Sequence, residues 1–287
     1  MGMVSRWFLD FNTLQLQDLG PKEGTLDAIT LEFPPGAYTT FRTYRGFHVL
    51  PLEPHFQRLE KTLCLQGYSI RLPRKAIRLG VYTAINPASN RGDYRVRLLV
   101  PVAENGLGCY IFVESLVVPA DWLYKEGAWA VTRFLTREQP EAKSSQFIYQ
   151  TVALREQDLK RHPRINEILM INAYGEILEG LSSNFFAVKK AQILTAGEGV
   201  LPGVTRSMVI DIARRAGFPI LFCPLKINDI GTIDEAFITS SSRGVLPIVR
   251  IDENAIGNGY PGLITQAIAS LYNLYIDRSL EPIYLME

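Results

Sequence analysis

The sequence predicts a mixed α/β (α+β) fold, and three observations lead there. Segments with apolar residues at helical intervals alternate with short runs of β-branched and apolar residues. Their order is irregular, which argues against a regular doubly wound sheet. No Gly-x-Gly-x-x-Gly follows a strand-like run, so a dinucleotide-binding fold has no support.

The first half begins with strand-like segments at 37–43 and 48–50. A helical pattern follows over 54–66, where Phe56, Leu59, Leu63 and Gln66 recur at helical intervals and mark one buried face. A second helix is expected over 74–84. The runs 94–102 and 109–118 flank a turn signal at Glu104 to Gly106 and read as a hairpin. The polar stretch 119–127 then separates that hairpin from a strand at 129–135.

This organisation predicts a smaller N-terminal α/β domain over 1–119, a linker over 120–127 and a larger C-terminal domain over 128–287. The second half supplies a helix over 144–160, strands at 168–172 and 185–189, and a helix over 205–216. Strands at 235–239 and 249–251 and a terminal helix over 262–277 complete it.

Composition narrows the function. The 287 residues are 47% hydrophobic and 21% charged with a net charge of +1, an ordinary globular balance that excludes disordered and collagenous classes. Near-neutrality removes the basic face that nucleic-acid binders need. Cys64, Cys109 and Cys223 are far apart and in no Cys-x-x-Cys arrangement, so neither a disulfide framework nor a metal site is expected. Cys64 and Cys223 sit among apolar neighbours and read as core thiols. Arg6 and Asp10 interrupt the first residues before a signal-peptide core can form, and no stretch approaches the roughly 18 apolar residues of a membrane span. The cytoplasm is the expected location, without membrane or nucleic-acid partners.

Five segments put polar groups where a strand or turn would otherwise be apolar: LEPHFQRL from Leu52, EAKSSQ from Glu141, LEGLSSNFF from Leu178, LPGVTRSMV from Leu201 and FITSSSRGVLPI from Phe237. LPGVTR leads into a helix, so the backbone N–H groups of Val204 and Thr205 can hold a phosphate at its N-terminus; the plain alternative is a Pro-Gly turn with a Thr cap. Ser240, Ser241 and Ser242 can bind phosphate or form a strand-end loop. Arg58 would complete a phosphate cup with its forked cation, or sit solvated on the outer face of its helix. Lys143 read alone is a surface charge, and Glu179 a loop carboxylate.

These segments occur in the order and approximate spacing of the class IV aminotransferases, the fold-type IV pyridoxal-phosphate enzymes. The sequence resembles that family from GAYTTFRTYRG at Gly36 to VLPIVRID ending at Asp252. EGLSSNFF is similar to its Glu-Gly-Ser-Ser-Ser-Asn-hydrophobic-Phe signature. The family includes branched-chain and D-amino-acid aminotransferases and aminodeoxychorismate lyase.

The resemblance implies a two-domain fold and pyridoxal 5'-phosphate as cofactor. It assigns Lys143 to the Schiff-base lysine, Glu179 to the acid at the pyridine nitrogen and Arg58 to the phosphate arginine. Val204 and Thr205 match the phosphate-binding helix start, Ser241 falls where many members have a phosphate-binding threonine, with Ser240 beside it, and Leu201 packs on the ring. It further implies amino-acid and keto-acid substrates and a homodimer with the active site at the domain interface.

Substrate contacts are expected from Tyr38, Thr40, Arg97 and Ser242. Alternation along its strand equally makes Arg97 an exposed face residue. The YTTFR run from Tyr38 departs from the Phe-Glu-x-x-Arg pattern of the aminotransferases towards the Thr-Thr form of some lyases, whereas RVRLLVPVAENGLG lacks the lyases' Ser-Arg-Gly stretch. Aminotransferase is the first expectation, aminodeoxychorismate lyase the second, and a non-catalytic member of the fold the third.

Overall fold

The computed structural model describes residues 2–85, 92–102 and 107–284. The chain forms two compact units, one from Met1–Val117, Ala142–Val152 and Arg278–Glu287, the other from Val118–Glu141 and Ala153–Asp277. Two segments distant in sequence thus return to the N-terminal unit, and one of them carries Lys143, which the division at 120–127 had put with the C-terminal half.

The first unit contains β1 (Gly2–Asp10), β2 (Leu16–Asp18), β3 (Lys22–Gly24), α1 (Leu26–Thr30), β4 (Gly36–Arg42), β5 (His48–Val49), α2 (Glu53–Leu65), α3 (Arg74–Ile85), β6 (Tyr94–Pro101) and β7 (Gly108–Ser115). An antiparallel sheet runs β2-β1-β7-β6-β4, with β3 also on β1. The expected hairpin is the β6–β7 pair; its turn signal at Glu104 to Gly106 lies outside the described residues.

Both faces of this sheet are covered, and the two-residue period of a strand sorts its side chains between them. Ala37, Phe41, Val96, Leu98 and Ile111 pack with Phe56, Leu59 and Leu63 of α2 and Ile77 and Val81 of α3. Their neighbours Tyr38, Leu99 and Phe112 pack on the opposite face with Leu26, Ile29 and Ile148. Proline in the first turn of α2 fits a helix start, where its missing N–H costs nothing.

The second unit contains α4 (Asp121–Glu126), β8 (Ala128–Phe134), the C-terminal part of α5 (Gln146–Asp158), β9 (Ile165–Ile171), β10 (Glu176–Gly180), β11 (Asn184–Lys189), β12 (Gln192–Thr195), α6 (Val204–Arg215), β13 (Ile220–Phe222), β14 (Leu225–Lys226), a 3-10 helix (Ile227–Thr232), β15 (Glu235–Ser240), β16 (Gly244–Ile251), β17 (Asn254–Ala255) and nearly all of α7 (Leu263–Ser279). A final short strand, β18 (Glu281–Pro282), pairs with β5 of the first unit's own chain segments. The stretch expected as a linker is therefore largely the helix α4.

The sheet of this unit runs β13-β12-β11-β15-β16-β8-β9-β10-β14, with parallel pairs at β12–β13, β16–β8 and β8–β9. Because β10 pairs with both β9 and β11, the path from β11 through β15, β16, β8, β9 and β10 closes on itself. Alternate residues Ala128, Ala130, Leu169, Phe185, Ala187, Ala236, Ile238 and Leu246 share one core, whereas Phe186 and Phe237 stack at 4.8 Å on the other face. The closing contact is the Glu179–Asn184 pair, so the EGLSSN segment is the hairpin that joins the ring.

Cys64 and Cys223 are exposed and only Cys109 is buried, which corrects the core-thiol expectation. Cys64 lies on α2 but off its buried stripe of His55, Phe56, Arg58, Leu59, Thr62 and Leu63; apolar neighbours in sequence do not share a helix face. Among the described residues no helix is long and apolar enough to cross a membrane.

Candidate active site

In the first unit the Lys143 segment is held as an extra strand edge along β4. The Tyr38 N–H donates to the Lys143 carbonyl at 2.9 Å and the Ser145 N–H to the Gly36 carbonyl at 2.9 Å. The Gly36 N–H returns a bond to Ser145 Oγ at 3.0 Å, and the Lys143 N–H donates to Thr62 Oγ1 of α2 at 3.1 Å. The backbone on both sides of the lysine is thus fixed, with its Nζ 4.7 Å from the centre of the Tyr38 ring. The serines of EAKSSQ do local work: Ser144 Oγ accepts from Gln66 Nε2 and Gln146 N.

Arg58 is buried, 8% exposed, which corrects the solvated-face alternative. Its helix packs it inward beside His55 and Thr62, where Nη2 donates to Thr39 Oγ1 at 2.7 Å. His55 Nδ1 lies 2.7 Å from that same hydroxyl. Burial drives the His55 imidazole well below the ordinary histidine range, and the positive charges of Arg58 and Lys143 add to the effect.

The folded state therefore holds His55 neutral, while the unfolded chain takes up a proton there below about pH 6.5. Unfolding free energy should fall as pH drops through that value, by up to about 1.4 kcal/mol per pH unit. The contribution is fully present above it. Denaturant titrations from about pH 7.5 to about pH 5 should give His55→Leu a flatter profile than the wild type. Equal slopes would remove His55 as the cause.

Tyr38, Thr40 and Arg97 lie close together, and Thr40 and Arg97 are register partners. Arg97 is only 5% exposed, so the exposed-face alternative is corrected. Its guanidinium donates to Thr40 Oγ1, Thr30 Oγ1, the Leu26 carbonyl and Asp27 Oδ1, and it lies 4.8 Å from the Tyr38 ring centre. These donors are committed to protein acceptors, the Asp27 carboxylate among them, rather than presented to a substrate.

In the second unit Glu179 is buried and accepts from three donors. Oε1 takes Arg137 Nε at 2.9 Å; Oε2 takes Asn184 Nδ2 at 2.9 Å and the Leu201 N–H at 3.1 Å. Asn184 Nδ2 also donates to the Leu201 carbonyl at 2.9 Å, so Leu201 is tied to the motif through its backbone. All of these partners are donors, the complement of a carboxylate's acceptor oxygens.

The helix start is as the LPGVTR motif predicts, and it corrects the Thr-cap alternative. The cap residue of α6 is Gly203, no side chain caps the helix, and Val204 and Thr205 are the first two helical residues, both buried. First-turn N–H groups without a side-chain cap favour an anion. Gly203 has to be glycine because a Cβ there would lie 2.1 Å from Asn184 Oδ1. Gly203→Ala should cost about 1–3 kcal/mol by forcing Asn184 aside, read as a lower denaturant midpoint; an unchanged midpoint would show that Asn184 moves freely.

Ser240, Ser241 and Ser242 lie at the β15–β16 turn and are half-buried. Ser240 Oγ accepts from the Arg243 N–H and Nε. Arg243 in turn binds Glu167, whose Oε2 also accepts from Ser182 and Ser183. Burial alone would raise the Glu167 carboxyl, but Arg243, then Arg155 and Ser183, bring it below the ordinary carboxylate range. This network fixes the EGLSSN hairpin to the serine turn.

Sequence reasoning missed Thr39, His55, Thr62, Arg137, Glu167 and Thr239. Thr239 is a register partner of Asn184, is 1% exposed, and among the described residues its hydroxyl makes no hydrogen bond. His55 and Thr62 were legible as polar residues on the buried stripe of an amphipathic helix; Arg137 carried no signal in a polar loop.

A family model described as amino-transferase class IV matches residues 36–251. An aminodeoxychorismate lyase of Bacillus subtilis is 30% identical over 255 residues, covering 83% of this chain and 84% of its own. A branched-chain-amino-acid aminotransferase of Pseudomonas aeruginosa is 25% identical over 263 residues, covering 85% and 84%. The crystal structure of a branched-chain amino acid aminotransferase from Thermobaculum terrenum in its PLP form has the same fold, with a TM-score of 0.77 at 19% identity over 98% of both chains.

Proposed function

Because the chain belongs to the class IV aminotransferase family, we propose that it is a pyridoxal-phosphate-dependent aminotransferase moving an amino group between an amino acid and a 2-keto acid. The observation that carries this reading is Lys143, an amine on a backbone bonded on both sides to β4 and α2. Each unit carries donors of the kinds the cofactor needs. Arg58 and the start of α6 at Val204 and Thr205 suit a phosphate, Glu179 suits a pyridinium, and the buried Thr239 hydroxyl has a bond to give. Ser240 and Ser241 are the further phosphate candidates, and the Leu201 side chain, also buried, is the ring contact.

When bound, the cofactor supplies an aldehyde that condenses with amines and a ring that withdraws electrons from the attached carbon. Lys143 would hold it, and the Lys143 amine would serve as the base that takes a proton from the substrate α-carbon and returns it during transfer. Glu179, ion-paired with Arg137, would supply the carboxylate for the ring nitrogen. Tyr38 shields one side of the Lys143 ammonium. The family also supports a homodimer, which light scattering tests.

Branched-chain relatives make branched-chain amino acids the first donors to try. The test is the visible spectrum of the loaded protein: an amino acid should bleach its band and a 2-keto acid restore it. A second reading, aminodeoxychorismate lyase, is supported by the Bacillus subtilis relative and by Thr39-Thr40 in β4. Release of 4-aminobenzoate with no response to any amino acid would replace the first reading by the second.

A further inference from the structure

The residue that matters beside Arg58 lies on the opposite face of β4 from Tyr38 and Thr40. Strand alternation turns Thr39 towards α2, where Thr39, His55 and Arg58 are all buried. Arg58 Nη2 to Thr39 Oγ1 is 2.7 Å, Thr39 Oγ1 to His55 Nδ1 is 2.7 Å, and Arg58 Nη2 to His55 Nδ1 is 3.5 Å.

Counting protons fixes the direction of this chain. A guanidinium has donors only, so Thr39 accepts from Arg58 and has one proton left to give. The acceptor in range of that proton is His55 Nδ1 at 2.7 Å, which places the imidazole proton on Nε2. A proton on Nδ1 would aim two donors at one hydroxyl and set an N–H against the Arg58 cation. Burial of His55 beside Arg58 favours the neutral ring, the form this arrangement requires.

We propose that Thr39 is a positioning residue for Arg58, with His55 as the terminal acceptor that fixes the Thr39 hydroxyl, so that the guanidinium meets the cofactor phosphate in one orientation. An arginine side chain otherwise samples many rotamers, and a charged donor held by a buried neutral acceptor keeps its full charge for an anion. The proposal rests on the reading of Arg58 as the phosphate arginine.

The full-length chain, freed of cofactor, is titrated with pyridoxal 5'-phosphate and with phosphate-free pyridoxal, and the ratio of the two affinities is the readout. Thr39→Val should lower that ratio by about tenfold or more, the worth of a hydrogen bond to a charged group, leaving pyridoxal binding unchanged. Thr39→Ser should restore it, and His55→Leu should lower it in the same direction. If Thr39→Val does not fold, His55→Leu and Thr39→Ser carry the comparison.

A Thr39→Val ratio equal to wild type, with Arg58→Lys reducing it, overturns the positioning role and leaves the phosphate reading of Arg58 standing. Equal weakening of both ligands marks a structural role and also overturns it. A wild-type chain that does not prefer the phosphate-bearing ligand overturns the reading of Arg58 and the proposal together.

Discussion

Replacing Lys143 by alanine should lower turnover by about a hundredfold to ten-thousandfold while the chain still folds. The bonds that hold this position are backbone bonds, from the Tyr38 N–H to its carbonyl and from its N–H to Thr62 Oγ1, and alanine keeps both. What is lost is the amine over the Tyr38 ring, an interaction worth about 0.5–1 kcal/mol at a partly exposed site. Single-turnover rates and a thermal melt separate the two effects. Normal turnover in Lys143→Ala would remove the lysine from the chemistry.

The second large effect is expected at the Arg137–Glu179 pair, whose side chains are 4% and 2% exposed. Arg137→Met takes the paired guanidinium away from a buried carboxylate, and Glu179→Gln takes the paired carboxylate away from a buried guanidinium. Each should cost about 3–5 kcal/mol of stability, because an isolated buried charge loses hydration that nothing replaces. Each should also lower turnover, Glu179→Gln by slowing proton abstraction more than cofactor retention. The double variant is the discriminating one: its stability should return towards wild type while its turnover stays low. Turnover that recovers together with stability would show that the pair acts on the fold alone.

Much of the element order was legible because it rests on local periodicity. The stripe at Phe56, Leu59 and Leu63 predicts α2 and its buried face, and the apolar runs predict β6, β7, β8 and β15 within a few residues. The short strands β2 and β3, the helices α1 and α4 and the nine-residue strand β1 were not foreseen. The short elements carry too little periodic signal, and β1 draws its place from pairing with β7, about a hundred residues later. The same limit applied to the site. Lys143, Glu179 and the LPGVTR helix start stood in recognisable motifs, whereas Thr39 differs from Tyr38 and Thr40 only in which face of β4 it occupies.

The sequence by itself determined the family, the elements with clear periodicity and the residue types that a pyridoxal-phosphate site needs. Tertiary structure decided their partners: the Lys143 segment as an edge of β4, Arg58 turned inward onto Thr39, Arg97 committed to Asp27, and Arg137 set against Glu179. The reason is that a buried charge must find its counter-charge or hydrogen-bond partner wherever the fold brings one. Here those partners lie 19, 42 and 70 residues away in the chain, far beyond the reach of any local pattern.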